Sequence, residues 1–456
     1  MFVRPQQLPL ILGIFVAFVF TQPVQAESLR EALGIAYESN PSLLAKRAEL
    51  RATDEGVPQA ISEWRPSLTA TGSSGKSETT LSTRTESKLH FNPHSASLTL
   101  TQSLYSGGKT LAAIDSAENA VLAGRAALLG VEQKVLLDAV KAYMDVFLSS
   151  AVLELRINNE AVLKRQLEAT SDRFQVGEIT RTDVNQAEAR LAKTTADRIQ
   201  AEGDLVSARA TYQNVIGKAP VNLSSPDVEF DLPSSEDEAI RLALAQNPDV
   251  VGAEFNQLAS ENNVHTVKSE LLPSIDLTGT ASRSLNASGL KTSLETYSAK
   301  LTLSMPLYGS GSVYSRLRSA RHTASRKMKE IDIARRKITE STTRAWQTLQ
   351  TSRARIDSIN VQIKASEVAL EGVQREASVG SRTVLDVLDA EQELLDAKVS
   401  IVTAKRDETI AKFELKSAIG ELTATQIALP VVAYNALEHY NDVRLKLFGG
   451  SIAEID

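Results

Sequence analysis

Asp386 and Asp389 stand three residues apart on one helical pattern, so both lie on the same side of it. Carboxylates so placed could divide acid–base work between them, or they could steer cations. Acid–base work needs surroundings that push the two pKa values apart, and the flanking sequence offers no apolar pocket to do so. Other catalytic patterns are incomplete. Gly75-Lys76-Ser77 and Gly108-Lys109-Thr110 have the ending of a phosphate-binding loop but lack its upstream glycine, since Ala70 and Ser103 stand there. His90, His94, His265, His322 and His439 show no zinc-protease spacing, and His90 and His94 read as exposed residues of a polar strand loop. The chain has no cysteine, which excludes disulfides, thiolate metal sites, a cysteine nucleophile and an N-terminal lipid on cysteine. The expectation is a protein that is not an enzyme, with no catalytic residue, metal site or cofactor.

The acidic pair belongs to a longer stretch, Val379 to Glu391, that has an earlier counterpart in Val176 to Glu188. Gly177 matches Gly380, Asp183 matches Asp386, Ala187 matches Ala390 and Glu188 matches Glu391, all at one offset. The same offset aligns Val140-Lys-Ala-Tyr143 with Thr343-Arg-Ala-Trp346, and Leu104-Tyr105-Ser-Gly-Gly108 with Leu307-Tyr308-Gly-Ser-Gly311. It also aligns Val215-Ile216-Gly217 with Ala418-Ile419-Gly420. Nearer the start the offset slips by a few residues, pairing Asn40-Pro41 with Asn247-Pro248 and Arg65-Pro66-Ser67-Leu68 with Leu272-Pro273-Ser274-Ile275. The chain therefore reads as two copies of one design, with a repeat far too long for a stacked solenoid.

Met1 to Ala26 has the form of a secretory signal: Arg4, an apolar core from Leu8 to Phe20, and small residues at Val24-Gln25-Ala26. The core is short for a membrane span, and no later apolar run reaches spanning length. Any membrane entry by the rest of the chain must then be as a closed β-barrel. A net charge of −6 without a basic block makes nucleic acid a poor partner, and aromatic residues at 5% are sparse for a compact core.

The first copy spans 27–220 and the second 236–422, joined by a Pro-, Ser- and Asp-rich linker at 221–235 and followed by a flexible-looking tail at 423–456. Each copy opens with a helix, kinked in the first at Asn40-Pro41. Two-residue alternation then marks strands at about 67–72 and 95–105, and at about 274–283 and 296–308, with Gly72 to Asn92 and Asn286 to Glu295 reading as loops. Proline-free helical patterns follow at 111–175 and 313–378, each on the order of 100 Å long, which demands a coiled-coil partner. Gly177 and Gly380 break them, as hinges that permit bending, and second helices run over 182–215 and 383–419.

The strands carry apolar residues on one face and small polar residues on the other, the pattern of outer-membrane strands. Leu98 and Leu100 alternate with Ser97, Thr99 and Thr101, and Leu301 and Leu303 with Lys300, Thr302 and Ser304. Four strands are too few to close a barrel, so closure needs several chains. A water-soluble periplasmic coiled-coil scaffold or adaptor protein is the competing account. An adaptor, though, would carry more β-structure around a single helical hairpin rather than two duplicated ones.

This order of elements, with Ser97-Leu98-Thr99-Leu100-Thr101-Gln102-Ser103-Leu104, Arg173-Phe174-Gln175-Val176-Gly177, Val379-Gly380-Ser381-Arg382-Thr383 and Asp386-Val387-Leu388-Asp389-Ala390, resembles the TolC family of outer-membrane efflux and type I secretion ducts. The resemblance runs from Ser28 to about Leu422. It implies a mainly α homotrimer in which each chain gives four strands to a twelve-stranded barrel set in outer-membrane lipid above a long helical periplasmic tunnel. It implies a porin-like channel for multidrug efflux, hence antibiotic resistance, and for type I protein secretion. The implied partners are a periplasmic adaptor (membrane fusion) protein and an inner-membrane transporter of the RND or ABC type, which open the periplasmic end. On that resemblance Asp386 and Asp389 form pore selectivity rings at the tunnel entrance. Thr182, Asp183 and Arg382 make the gate contacts, Arg382 pairing with Asp183. Ala377 stands where the family has a gate aromatic, so one latch contact is missing.

Overall fold

The computed structural model describes residues 27–82, 86–226, 231–287 and 292–450. The expected signal segment 1–26 lies outside the described residues, as do parts of the linker, of the loop after residue 286 and of the tail. The described residues open with three short helices, α1 (Leu29–Ser39), α2 (Pro41–Asp54) and α3 (Gly56–Ser62), where the sequence reading has one kinked helix. The break at Asn40 has a physical cause. Asn40 leaves helical geometry, its side-chain oxygen accepts from Ser42 N–H to cap α2, and Pro41 occupies the first turn, where a missing N–H costs nothing. Its amide also donates to the Val215 carbonyl at 2.9 Å.

Strands β1 (Ser67–Ser74), β2 (Ser77–Ser82), β3 (Glu86–Phe91) and β4 (His94–Tyr105) follow. β2 and β3 form a hairpin of their own, which corrects the loop expected between Gly72 and Asn92. Leu81, Leu89 and Phe91 lie on one face of this hairpin and Glu78, Lys88 and His90 on the other, but each strand has only six residues and few apolar ones, so the alternation is too short to stand out from a polar loop. Then come α4 (Lys109–Gln175) and α5 (Arg181–Ile216), an antiparallel helical hairpin whose first arm has 67 residues, about 100 Å.

After α6 (Glu236–Gln246) and α7 (Pro248–Ser269), strands β5 (Ser274–Leu285) and β6 (Ser293–Ser304) lead into a second hairpin, α8 (Ser312–Ser378) and α9 (Val384–Ala418). α8 again has 67 residues. Asn247 repeats the device of Asn40: it caps α7 through Asp249 N–H, and its amide donates to the Ala418 carbonyl at 2.9 Å. In both halves, then, the Asn-Pro dipeptide ties a short helix to the end of a hairpin's second arm.

The sheet order is β1-β4-β5-β6, all antiparallel. β4 pairs with β5, so the two halves share one sheet, while β1 and β6 are its edges. Register places Leu68, Leu100, Gly279 and Ala299 across one face and Thr69, Thr99, Thr280 and Ser298 across the other. Hydroxyl pairs bridge the polar face, with Thr71 and Ser97 2.7 Å apart. The apolar face has no partner among the described residues, and Leu303 is 68% exposed.

Among the described residues, three clusters of buried side chains hold the helices. The largest joins Leu33, Leu43, Tyr143, Tyr212 and Phe413, and a smaller one joins Ala243, Val250, Leu349 and Leu415. Residues 422–443 are packed rather than trailing: Leu422, Ala424, Ile427 and Leu429 enter the largest cluster, and α10 (Glu438–Val443) lies on α2. This corrects the flexible tail expected from 423 over its described part. Its apolar residues follow no helical or strand period, so only tertiary contact reveals them.

Candidate functional site

The expected site residues gather at the turns joining the long arms. α4 and α8 end alike. Glu178 N–H bonds the Arg173 carbonyl and Gly177 N–H bonds that of Phe174, both at 2.9 Å. Ser381 N–H bonds the Glu376 carbonyl at 3.0 Å and Gly380 N–H bonds that of Ala377 at 3.2 Å. These are paired Schellman closures with a left-handed residue after the cap. Gly177 and Gly380, at φ +83° and +80°, supply it. They end the helices rather than bend them.

The second arms start alike too. Thr180 caps α5 and Thr383 caps α9, each in a capping box with Asp183 and Asp386. Asp183 accepts from the Thr180 N–H and hydroxyl at 2.9 and 2.8 Å, and Asp386 accepts from those of Thr383 at the same distances. The backbone N–H and hydroxyl of Thr383 hold the Asp386 carboxyl below the usual carboxylate range. Both aspartates are thus committed to backbone geometry inside their own chain.

Within one chain Arg382 and Asp183 are not joined. The Arg382 guanidinium donates to Glu376 at 2.9 Å across its own turn, and Arg173 donates to Glu178 at 3.0 Å across the other. Thr182 is exposed. Asp389 is paired with Arg190 of α5, an ion pair that links the two hairpins. Beneath it Leu163 and Ala187 of the first hairpin pack on Val384 and Leu388 of the second. Arg190 and Glu376 carry no signal in the sequence that sets them apart from ordinary solvated helix charges.

Glu391, five residues beyond Asp386, is 9% exposed, and one carboxylate oxygen has no hydrogen-bond partner among the described residues. Burial raises its carboxyl above the usual range, opposed by a hydrogen bond to Gln374 on α8. In the unfolded chain the group ionises at its ordinary pKa, so stability is lost as pH rises from about 4 through the raised value. Glu391→Gln is therefore expected to melt above the parent at neutral pH, with the difference closing below about pH 4, in thermal unfolding followed across pH.

Two copies of a strand-bearing helical hairpin, sharing one open-edged sheet, define a membrane duct subunit. The profile of the outer membrane efflux protein family matches residues 32–218 and again residues 239–421. The chain belongs to that family. It is 34% identical over 429 residues to the outer membrane efflux protein BepC of Brucella suis, covering 94% of this chain and 93% of the relative. It is 26% identical over 430 residues to the outer membrane protein TolC of Escherichia coli K12, covering 91% and 86%. Among solved folds, the Campylobacter jejuni CmeC outer membrane channel superposes with a TM-score of 0.79 at 17% identity, covering 92% of this chain and 90% of that one. The outer-membrane channel OprN does so with 0.77 at 21% identity, covering 86% and 89%. The protein is thus an outer-membrane exit duct for efflux and secretion, and its family members are transport ducts rather than enzymes.

Proposed function

We propose that three copies of this chain close their sheets into one twelve-stranded barrel, with the α4–α5 and α8–α9 hairpins forming the tunnel below it. The observation that carries this is the sheet itself: among the described residues its edges β1 and β6 are unpaired and its apolar face has nothing packed on it. An exposed apolar edge is a liability in water, and closure in lipid removes it. The signal segment 1–26 sends the chain across the inner membrane, and the repeats 27–220 and 236–422 are the two structural units of each subunit.

The hairpin tips are the tunnel's far end. There Asp386 and Asp389 of three chains form acidic rings that favour cations, and Arg190 partly offsets the lower charge. Arg382, Asp183 and Thr182 meet between neighbouring hairpins in the closed state, and opening exchanges those contacts for the local Arg382–Glu376 pair. A periplasmic adaptor protein and an inner-membrane transporter of the ABC or RND type drive that exchange. Both efflux and secretion cargo are supported: BepC is an efflux protein, and AprF of Pseudomonas aeruginosa, 24% identical over 306 residues, is an alkaline protease secretion protein.

The chain's lack of cysteine makes the closure testable by cross-linking. Thr69→Cys on β1, combined in turn with Thr296→Cys, Ser298→Cys or Lys300→Cys on β6, is expected to give disulfide-linked trimers for at least one pair. Absence of intermolecular links for every pair in membranes would contradict the shared barrel.

A further inference from the structure

The segment after α9 does not end among the helices. It is held along its course, first by the buried Leu422, Ile427 and Leu429. Tyr434 N–H then bonds the Tyr37 hydroxyl at 2.9 Å, and His439 lies 3.0 Å from the Asp54 carboxylate. Arg444 donates to Glu118 at 2.7 Å. Arg65, two residues before β1, donates to the Lys446 carbonyl at 2.9 Å. The segment is therefore fastened at the level where the strands begin.

At that level Leu445, Leu447 and Phe448 are exposed, Phe448 by 89%. They alternate with Arg444 and Lys446, and Lys446 has no carboxylate partner among the described residues. Trp64 and Leu68, on either side of Arg65, are exposed as well, and Leu68 lies on the apolar face of β1. Exposed apolar side chains thus stand both on the first strand and on this segment, which the Arg65–Lys446 hydrogen bond ties together. Apolar side chains interleaved with lysine and arginine suit the boundary between acyl chains and anionic headgroups.

We propose that Leu445, Leu447 and Phe448 enter the periplasmic leaflet of the outer membrane, with Lys446 and Arg65 at its phosphate groups. The occupant of this patch is a phospholipid leaflet, and the segment anchors the helical part of the subunit to the bilayer independently of the strands. The proposal rests on the reading that the apolar strand face meets lipid.

Spin labels on single cysteines test it in the full chain, reconstituted into vesicles of phosphatidylethanolamine and phosphatidylglycerol. Phe448→Cys is the probe, Leu445→Cys its duplicate should the first fail to assemble, Leu301→Cys on β6 the lipid reference and Val432→Cys, 90% exposed on the same segment, the water reference. The expected ratio of collision with oxygen to collision with a water-soluble nickel chelate is several-fold higher at Phe448 than at Val432, approaching that at Leu301. A water-like ratio at Phe448 overturns the anchor. So does a label shielded from both reagents, which would place the patch against a neighbouring protein surface. A water-like ratio at Leu301 would instead remove the barrel reading on which the proposal stands.

Discussion

Asp386→Asn combined with Asp389→Asn is expected to lower the cation-over-anion permeability ratio of the duct in planar bilayers. If the two carboxylates form rings as proposed, together they contribute on the order of 1–2 kcal/mol to the difference between cation and anion, so the ratio should fall roughly five- to thirtyfold. Asparagine is the right replacement because Asp386 also caps α9 through Thr383, and an amide oxygen can still accept that hydrogen bond. Alanine would mix the loss of charge with the loss of a cap, about 1 kcal/mol. Arg190→Gln should act in the opposite direction, since it removes the cation paired with Asp389 and leaves that carboxylate uncompensated. Unchanged selectivity in both variants would place these carboxylates off the conduction path.

Gly420→Ala is expected to have the largest effect on stability of any single change considered. Gly420 follows the end of α9 at φ +88°, and an added Cβ would lie 2.8 Å from the Gln246 carbonyl oxygen and 3.0 Å from the Asn247 Cα. Those atoms cannot retreat freely, because Asn247 caps α7 and holds the Ala418 carbonyl. Left-handed strain and backbone overlap together should cost about 3 kcal/mol or more. Gly380→Ala supplies the comparison: it has a similar φ of +80° but open space around the new Cβ. Its cost should be only the backbone part, about 1 kcal/mol. Thermal unfolding of the two purified variants, with the amount of each recovered in membranes, checks the contrast. Equal losses would show that the α9–α7 seam yields.

Much of this architecture was legible because it repeats. Gly177 and Gly380 at one offset mark two hairpin turns, and the alternation around Leu98 and Leu301 marks strands whose two faces meet different surroundings. What the sequence hides is contact between distant segments. The β2–β3 hairpin gathers only Leu81, Leu89 and Phe91 on its apolar face, in strands of six residues, too short an alternation to betray it. Leu422, Ile427 and Leu429 are buried in the largest cluster, among residues distant in sequence, which no local period encodes. On the family resemblance Asp183 and Asp386 read as a gate residue and a pore residue. Their immediate work is to cap α5 and α9, a role written plainly in Thr180 and Thr383 three residues before them. The partner of Asp389 could not be read at all, since Arg190 lies in the other half of the chain and only the packing of Leu163 and Ala187 on Leu388 brings it near.

The measurement that bears most directly on the shared barrel is the number of copies in the particle extracted from membranes in detergent. Three chains per particle is the expected result, and it would join each β6 to the next β1 and set Asp386 and Asp389 around a threefold axis. A monomer or dimer that stays in solution without detergent would contradict it, leaving four strands that close no barrel and a coiled-coil scaffold in place of a duct.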